Sequence, residues 1–321
     1  MPNAPLLTVL MAIIISIAPY ISIAPYLLAS RTMGSYEIEG GFEIQQHDSK
    51  LVISYGSKLV TEFVFRDEKI LRPYFANVHL PCGLKVTRNH PPNPAVDAVD
   101  HDTMHPGIWL GFGDINQEDF WRNKGRIEHL RFSTEPVVRN GVLHFAEENR
   151  LLKASGKKLA ELHSDYQLRR RHGGFLLTWD AELRASEEDL VFGDQEEMGL
   201  GARLSTSLTE KAGGQIISSD GLKGAAETWG KQAAWCDYSG KIGEQLVGIT
   251  IFPSPQNAHA CWWHNRDYGV FVANPFGKRA GHVDGKLTVK KGESLRLKFH
   301  VVFHEGLTMP DLAAIAKELG K

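Results

Sequence analysis

The stretch Phe175-Leu-Leu-Thr-Trp-Asp-Ala-Glu-Leu183 sets Phe175, Leu177, Trp179, Ala181 and Leu183 at every second position. Side chains of a β-strand point alternately to its two faces, so this spacing makes a strand with one apolar face. Thr178, Asp180 and Glu182 are then expected to face water. The pattern returns near the C-terminus, where Leu295, Leu297, Phe299, Val301 and Phe303 alternate with Arg296, Lys298 and His300, His304 lies on that polar face, and Lys291-Gly292-Glu293 supplies a turn before them. The same reading predicts strands at 50–55, 58–65, 141–151, 199–207, 246–252 and 268–273. No strand–helix alternation occurs, which argues against a parallel α/β sheet. One helix is predicted, at the C-terminus: Thr308 can cap it, Pro310 and Asp311 suit its first turn, and Leu312, Ala313, Ile315, Ala316 and Leu319 form its apolar stripe. The fold class that follows is all-β, a large two-sheet antiparallel β-sandwich with a short C-terminal helix.

Composition narrows the function classes. Lys plus Arg number 36 and Asp plus Glu 38, so the chain has no electrostatic footprint for nucleic acid or an anionic membrane, and neutral partners are favoured. Cys82, Cys236 and Cys261 are odd in number and show no C-x-x-C spacing, which predicts buried thiols rather than a disulfide framework. Residues 1–30 carry no charged side chain, and Leu6 to Leu28 is almost wholly apolar, as a signal peptide or a membrane anchor requires. Against a simple signal stand the lack of a preceding Lys or Arg, the interruptions at Pro19 and Pro25, and the tandem ISIAPY repeat from Ile15 to Tyr26. Export to the periplasm or the outside, with cleavage near Ser30, is the first expectation. An uncleaved anchor and a cytoplasmic protein starting at Met33 are the alternatives. Residues 36–321 are expected to form the sandwich domain.

Four stretches concentrate chemistry. In Asp100-His-Asp-Thr-Met-His-Pro-Gly-Ile-Trp-Leu-Gly-Phe-Gly-Asp-Ile-Asn-Gln-Glu-Asp-Phe-Trp121, a His- and Asp-rich loop feeds a short strand that ends in Gly113, Asp114 and Asn116. His101 and His105 would share one face of a helix, but Pro106 and Gly107 oppose a helix there, which weakens a metal pair and leaves proton transfer or hydroxyl binding. In Phe192-Gly-Asp-Gln-Glu-Glu-Met-Gly-Leu-Gly-Ala-Arg203, Asp194, Glu196 and Glu197 follow a strand and Arg203 lies on the next; the alternative is a solvated acidic turn paired with Arg203. Trp229-Gly-Lys-Gln-Ala-Ala-Trp-Cys-Asp-Tyr238 and Trp262-Trp-His-Asn-Arg-Asp-Tyr-Gly-Val-Phe-Val-Ala-Asn-Pro-Phe276 mix Trp, Tyr, His, Arg and Asn, the set that stacks on sugar C–H faces and forks to hydroxyls. Core packing competes for each Trp. Serine-nucleophile, P-loop, dinucleotide-fold and zinc-finger signatures are absent, and no cofactor or metal is expected.

Taken together, DHDTMHPGIWLGFGDINQEDFW, FGDQEEMGLGAR, WGKQAAWCDYSG and WWHNRDYGVFVANPFG resemble the bacterial domain family labelled "methane oxygenase PmoA", over about residues 36–305. A methane monooxygenase subunit spans the membrane several times, whereas the one long apolar run here is 6–28, so the label does not describe this chain and no integral membrane subunit role is expected. The resemblance implies carbohydrate metabolism, since relatives accompany polysaccharide-degrading genes and sugar-type oxidoreductases. The family's further loop histidine is replaced by the Asp102-Thr103 region, which weakens a three-histidine metal site. The alternating strands also resemble the large sandwich of sugar mutarotases and polysaccharide lyases.

The expected activity is that of a carbohydrate-active enzyme. His101, His105 and His264 with Asp114 or Glu197 are the expected acid–base groups. Asn116, Asp119, Trp121, Asp194, Arg203, Trp235, Arg266, Tyr268 and Asn274 are the expected contacts to a carbohydrate or other polyhydroxylated molecule. Glycoside cleavage by hydrolysis or elimination leads; epimerisation or mutarotation, non-catalytic glycan binding, and a metal enzyme built on His101, His105 and Asp114 are the rivals. A carboxylate pair would favour hydrolysis, and a His plus Glu pair proton shuttling at an anomeric or α-carbon.

Overall fold

Period-2 patterning becomes two eight-stranded antiparallel sheets in the computed structural model, which describes residues 41–171, 173–277 and 287–320. The 1–30 leader lies outside the described residues. In the first sheet the spatial order is Phe42–Gln46, Lys50–Tyr55, Lys58–Val64, Tyr74–Ala76, Ile108–Phe112, Met198–Arg203, Val270–Asn274 and Trp262–Arg266. The second runs Gln215–Ser218, Cys236–Ile242, Gln245–Pro253, Ser294–Glu305, Gly174–Arg184, Lys158–Arg171, Val142–Leu152 and Arg126–Arg139. Leu190–Phe192 and Leu287–Val289 pair separately. No helix among the described residues is long and apolar enough to cross a membrane.

The apolar faces of the two sheets meet. Phe63 of the first sheet lies 5.0 Å from Phe145 and 4.9 Å from Tyr166 of the second, and Phe75 lies 5.8 Å from Trp179. Such aromatic pairs add to the burial that drives the sheets together. Phe175, Leu177, Trp179, Ala181 and Leu183 all enter this core, as their alternation predicts.

The opposite face of the second sheet departs from the expectation. Thr178 and His300 are buried and bonded to each other at 2.9 Å, and His304 is buried against Asp237 at 2.8 Å. The cause is the helix Met309–Leu319, which packs its Leu312 and Ile315 on that face with Leu176, Trp235, Phe252 and Val302. The helix starts as the sequence predicts, in a capping box between Thr308 and Asp311. Two further corrections are local. The strand expected at 199–207 ends at Arg203, where Thr206–Leu208 forms a 3₁₀ turn, and Cys82 is exposed rather than buried.

Candidate functional site

Strand parity decides which side chains leave the core. Ile108, Leu110 and Phe112 point between the sheets, so Trp109 points to the outer face of the first sheet. The same alternation sends Gly199, Gly201 and Arg203 outward from Met198–Arg203, Val270, Val272 and Asn274 from the next strand, and Trp262, His264 and Arg266 from the sheet's edge. Register then aligns them. His264 pairs with Val272, Val272 with Gly201, Gly201 with Trp109, and Trp109 with Tyr74, a row straight across five strands. One step along, Arg266, Val270 and Arg203 form a parallel row.

The glycines are what let the aromatic rings lie down. A Cβ on Gly201 would come within 2.6 Å of the Trp109 indole, and one on Gly111 within 3.0 Å of Trp121. Trp109 therefore covers Gly201, Trp121 meets it edge-on at 5.2 Å, and the imidazole of His105 stacks on Trp109 at 5.2 Å with a 19° tilt. His101 lies 5.2 Å from His105 and stacks toward Tyr268, whose ring also carries the Arg203 guanidinium at 4.9 Å.

Polar groups on this face are buried with few protein partners. Both ring nitrogens of His105, Nε and Nη1 of Arg203, Nε of Arg72 and the indole nitrogens of Trp109 and Trp121 have no hydrogen-bond partner among the described residues. Unpaired buried donors are costly, so their concentration on one face makes it the candidate site. Burial and the neighbouring Arg203 hold the His105 pKa well below its ordinary value, which keeps the ring neutral.

At the sheet edge, His264 Nδ1 stands 3.5 Å from Glu196 Oε2, and Arg266 Nη2 donates to the same oxygen at 3.1 Å. At 3.5 Å the histidine contact is an approach of partners rather than a tight hydrogen bond. The His264 contact and the Arg266 guanidinium hold Glu196 below the usual carboxylate range. Burial pushes His264 the other way, toward its neutral form, so the permanently charged Arg266 is the partner that keeps Glu196 ionised. Glu196, His264, Trp229, Trp262 and Asn274 line a narrow crevice with no room for a water molecule, and Arg266 lies over the Trp229 ring at 5.6 Å. Floor residues are buried, while Arg122, Glu196, Trp229, Arg266 and Tyr268 at the rim are half-buried.

The structure thus gathers His101, His105, Trp121, Arg203, His264, Arg266 and Tyr268 on one face. Glu197 is there too, paired with Arg122, which also reaches Asp119 at 3.2 Å. The other six expected residues are held by contacts of their own. Asp119 Oδ1 accepts from the backbone nitrogens of Trp121 and Arg122 and so folds its own turn. Asp114 accepts from Gln117 N and sits against Gly193, and the set His101, His105 and Asp114 is not assembled; among the described residues no His, Cys, Asp and Glu cluster is placed to hold a metal. Asn116, at positive φ, clamps a neighbouring strand by donating to Asp189 O and accepting from Val191 N. Asn274 accepts from Phe276 N and donates to Gln195 O, bracing the loop that carries Glu196. Trp235 belongs to the helix-covered face of the other sheet, where Phe252 and the helix bury it. Asp194 lies beside Gly277, where an added Cβ would meet its Oδ1 at 2.3 Å.

Three arginines complete the face: Arg72, Arg88 and Arg122. Arg88 holds the covering loop, donating to Ala98 O, Asp100 O and His105 O, and Arg72 donates to Trp121 O and Asn123 Oδ1. Arg72 and Arg88 stand as lone charges outside every motif, so the sequence carries no signal for them. Trp109 does have one, an aromatic ring at the outward position of a strand.

These features define a two-sheet antiparallel sandwich with a histidine- and arginine-rich site on the outer face of one sheet. The chain belongs to a family of unknown function (DUF6807), whose pattern matches residues 50–318. No protein of curated function matches it. Similar solved structures include a galactose mutarotase related enzyme from Lactobacillus acidophilus, 12% identical over 82% of this chain and 97% of that one, TM-score 0.36. Galactose 1-epimerase from Lactobacillus acidophilus NCFM is 9% identical over 84% and 99%, TM-score 0.40. The GH36 alpha-galactosidase AgaB from Geobacillus stearothermophilus is 11% identical over 81% of this chain but 41% of its own, TM-score 0.42. None of these likenesses transfers a residue role.

Proposed function

We propose that the protein is a carbohydrate-active enzyme in which neutral His264 moves a proton while Glu196 and Arg266 orient it. The observation that carries this reading is the row joining His264 to the Trp109–His105 stack across a glycine floor. Trp229 and Tyr268, half-buried beside Arg266, supply aromatic surface at the rim of the kind that sugar sites use. The resemblance to the PmoA-labelled family points to carbohydrate metabolism as well.

Among routes of glycoside cleavage, the geometry favours histidine proton transfer, as in elimination, over two-carboxylate hydrolysis. Hydrolysis needs a protonated carboxylic acid to release the leaving group. Glu196 is instead paired with Arg266, which stabilises its ionised form, and Glu197 is engaged by Arg122. A His plus Glu pair also suits epimerisation, the second reading. Purified protein incubated with plant and algal oligosaccharides separates the routes by product mass: hydrolysis adds water, elimination does not, and isomerisation leaves the mass unchanged. An inert panel, with no sugar bound, would remove the carbohydrate reading.

The state of His264 has a pH consequence. A base must be neutral, so activity is lost as pH falls through its pKa, and burial lowers that pKa below the ordinary 6.5. The acid limb of kcat/KM is therefore expected below pH 6.5. Glu196 raises the His264 pKa, so Glu196→Gln should shift that limb further to acid. A limb at or above 6.5, unmoved by Glu196→Gln, would assign the titration to another group.

We also place the protein outside the cytoplasm, on the strength of the apolar run at 6–28. Mass spectrometry of the native protein tests this: an N-terminus near Arg31 supports export, and a cytosolic start at Met33 overturns it.

A further inference from the structure

We propose that the sugar taken at this face carries an anionic group, which Arg203 receives. The inference rests on the carbohydrate reading and narrows it to acidic sugars.

Three guanidinium groups, Arg72, Arg88 and Arg203, are buried to within 2% of full cover beside the His105 ring. Buried charges need opposite charges or dense hydrogen bonding. One carboxylate serves two of them: Asp100 Oδ1 takes Arg203 Nη2 at 2.9 Å and stands 3.8 Å from Arg88 Nη1. Asp100 is itself on the covering loop and 37% exposed. Arg72 has only carbonyl and amide oxygens as bonded acceptors, and burial pulls its pKa down to about 9.

The neighbouring carboxylates have other bonded partners, although Asp119 also acts on Arg72 from a distance. Asp119 and Glu197 go to Arg122, and Glu196 goes to Arg266. Asp97 and Asp102 act on Arg88 from a distance; Asp97 is held by Asn89, the Asn93 backbone and Thr206, and Asp102 accepts from the Thr103 backbone. His105 adds no balancing charge in its neutral form. The three buried guanidinium groups thus share a single bonded carboxylate, and Arg203 keeps Nε and Nη1 without hydrogen-bond acceptors among the described residues. Charge-assisted bonds from such donors to anionic oxygens are short and strong. A uronate carboxylate and a sugar phosphate share this chemistry.

Titration calorimetry on the full chain tests the proposal with three sets of sugars. These are acidic oligosaccharides of pectic, alginate and glucuronan type, neutral oligosaccharides of matching length, and hexose phosphates. An anionic set is expected to bind about 10- to 100-fold more tightly than the neutral one, with a preference that shrinks as salt rises. Preference for the oligouronides or for the phosphates identifies which anion is the natural one. Arg203→Gln should erase most of the preference and Arg203→Lys should keep part of it, each variant first shown folded by its melting curve. Neutral sugars binding as tightly as acidic ones in the unaltered protein would overturn the anion proposal and leave the carbohydrate reading standing. Failure of all three sets to bind would overturn both.

Discussion

Replacing His264 by Gln is expected to lower turnover about 10²- to 10⁴-fold while sugar binding is largely retained. Glutamine keeps approximate size and hydrogen-bonding capacity but cannot exchange a proton near neutral pH. His264 stands on the edge strand Trp262–Arg266, so a substitution there does not open the core; its neighbour Trp263 is the residue that packs inward, near Phe271. An unchanged melting temperature with lost turnover therefore separates chemistry from folding. Glu196→Gln should cost less than His264→Gln, because Glu196 acts through the imidazole, and its effect should appear in the pH profile as well as in kcat. If folded His264→Gln protein turns over its substrate normally, the proton-transfer role passes to His105, whose ring is neutral and unpartnered on the same face.

Strands with one wet and one dry face were legible because alternation is a direct record of burial. Residues 175–183 and 295–303 carry it at every inward position, broken on the other face by Leu176 and Val302, and both lie in the middle of the second sheet. Arg126–Arg139 and Lys158–Arg171 were not legible. The first is an edge strand whose pairing with Val142–Leu152 shifts register three times, so its polar and apolar positions fall out of phase. Lys158–Arg171 keeps its inward alternation at Ala160, Leu162, Ser164, Tyr166 and Leu168, but the small and hydroxylated members weaken the apolar signal.

The site was legible in its residue types and less so in its geometry. His101, His105, Arg203, His264, Arg266 and Tyr268 come from three separated stretches, and antiparallel register brings them to one face. Asp114, Asn116 and Asp119 are ambiguous in a sequence for a physical reason: the short polar side chains that bind hydroxyls also hold backbone, and here Asp114 and Asp119 bond within their own turns and Asn116 to a neighbouring strand. Trp235 lies apart from this face because the helix makes a second dry face on the far sheet, where a tryptophan packs as it would in a core. Gly111 and Gly201 gave no chemical signal at all, yet without them Trp109 and Trp121 could not lie flat.

Replacing Glu147 by Ala is expected to destabilise the fold by about 3–5 kcal/mol, an effect at the top of the single-substitution range. Glu147 is fully buried on the core side of Val142–Leu152, between the inward-facing Phe145 and Asn149. A carboxyl group there breaks the apolar pattern and is tolerated because two partners satisfy it. His129 Nδ1 lies 2.7 Å from one oxygen, and the Tyr166 hydroxyl donates to the other at 2.7 Å. The partners depend on it in turn: Tyr166 is sealed among Phe63, Phe145 and Trp179, and His129 is packed by Phe65 and Phe132. Alanine leaves a cavity and strands two polar groups away from water, so transfer, cavity and desolvation costs add. For a domain of this size the melting temperature should fall by on the order of 10 °C. Glu147→Gln, which keeps the shape and part of the bonding, should lose much less. Converting the whole set to apolar residues of similar volume, as His129→Leu, Glu147→Met and Tyr166→Phe together, should recover most of the loss, because no polar group is then left unpaired. A Glu147→Ala protein that melts within about 1 °C of the unaltered chain would mean that the network contributes less than about 0.5 kcal/mol and that the aromatic packing around it carries this end of the core alone.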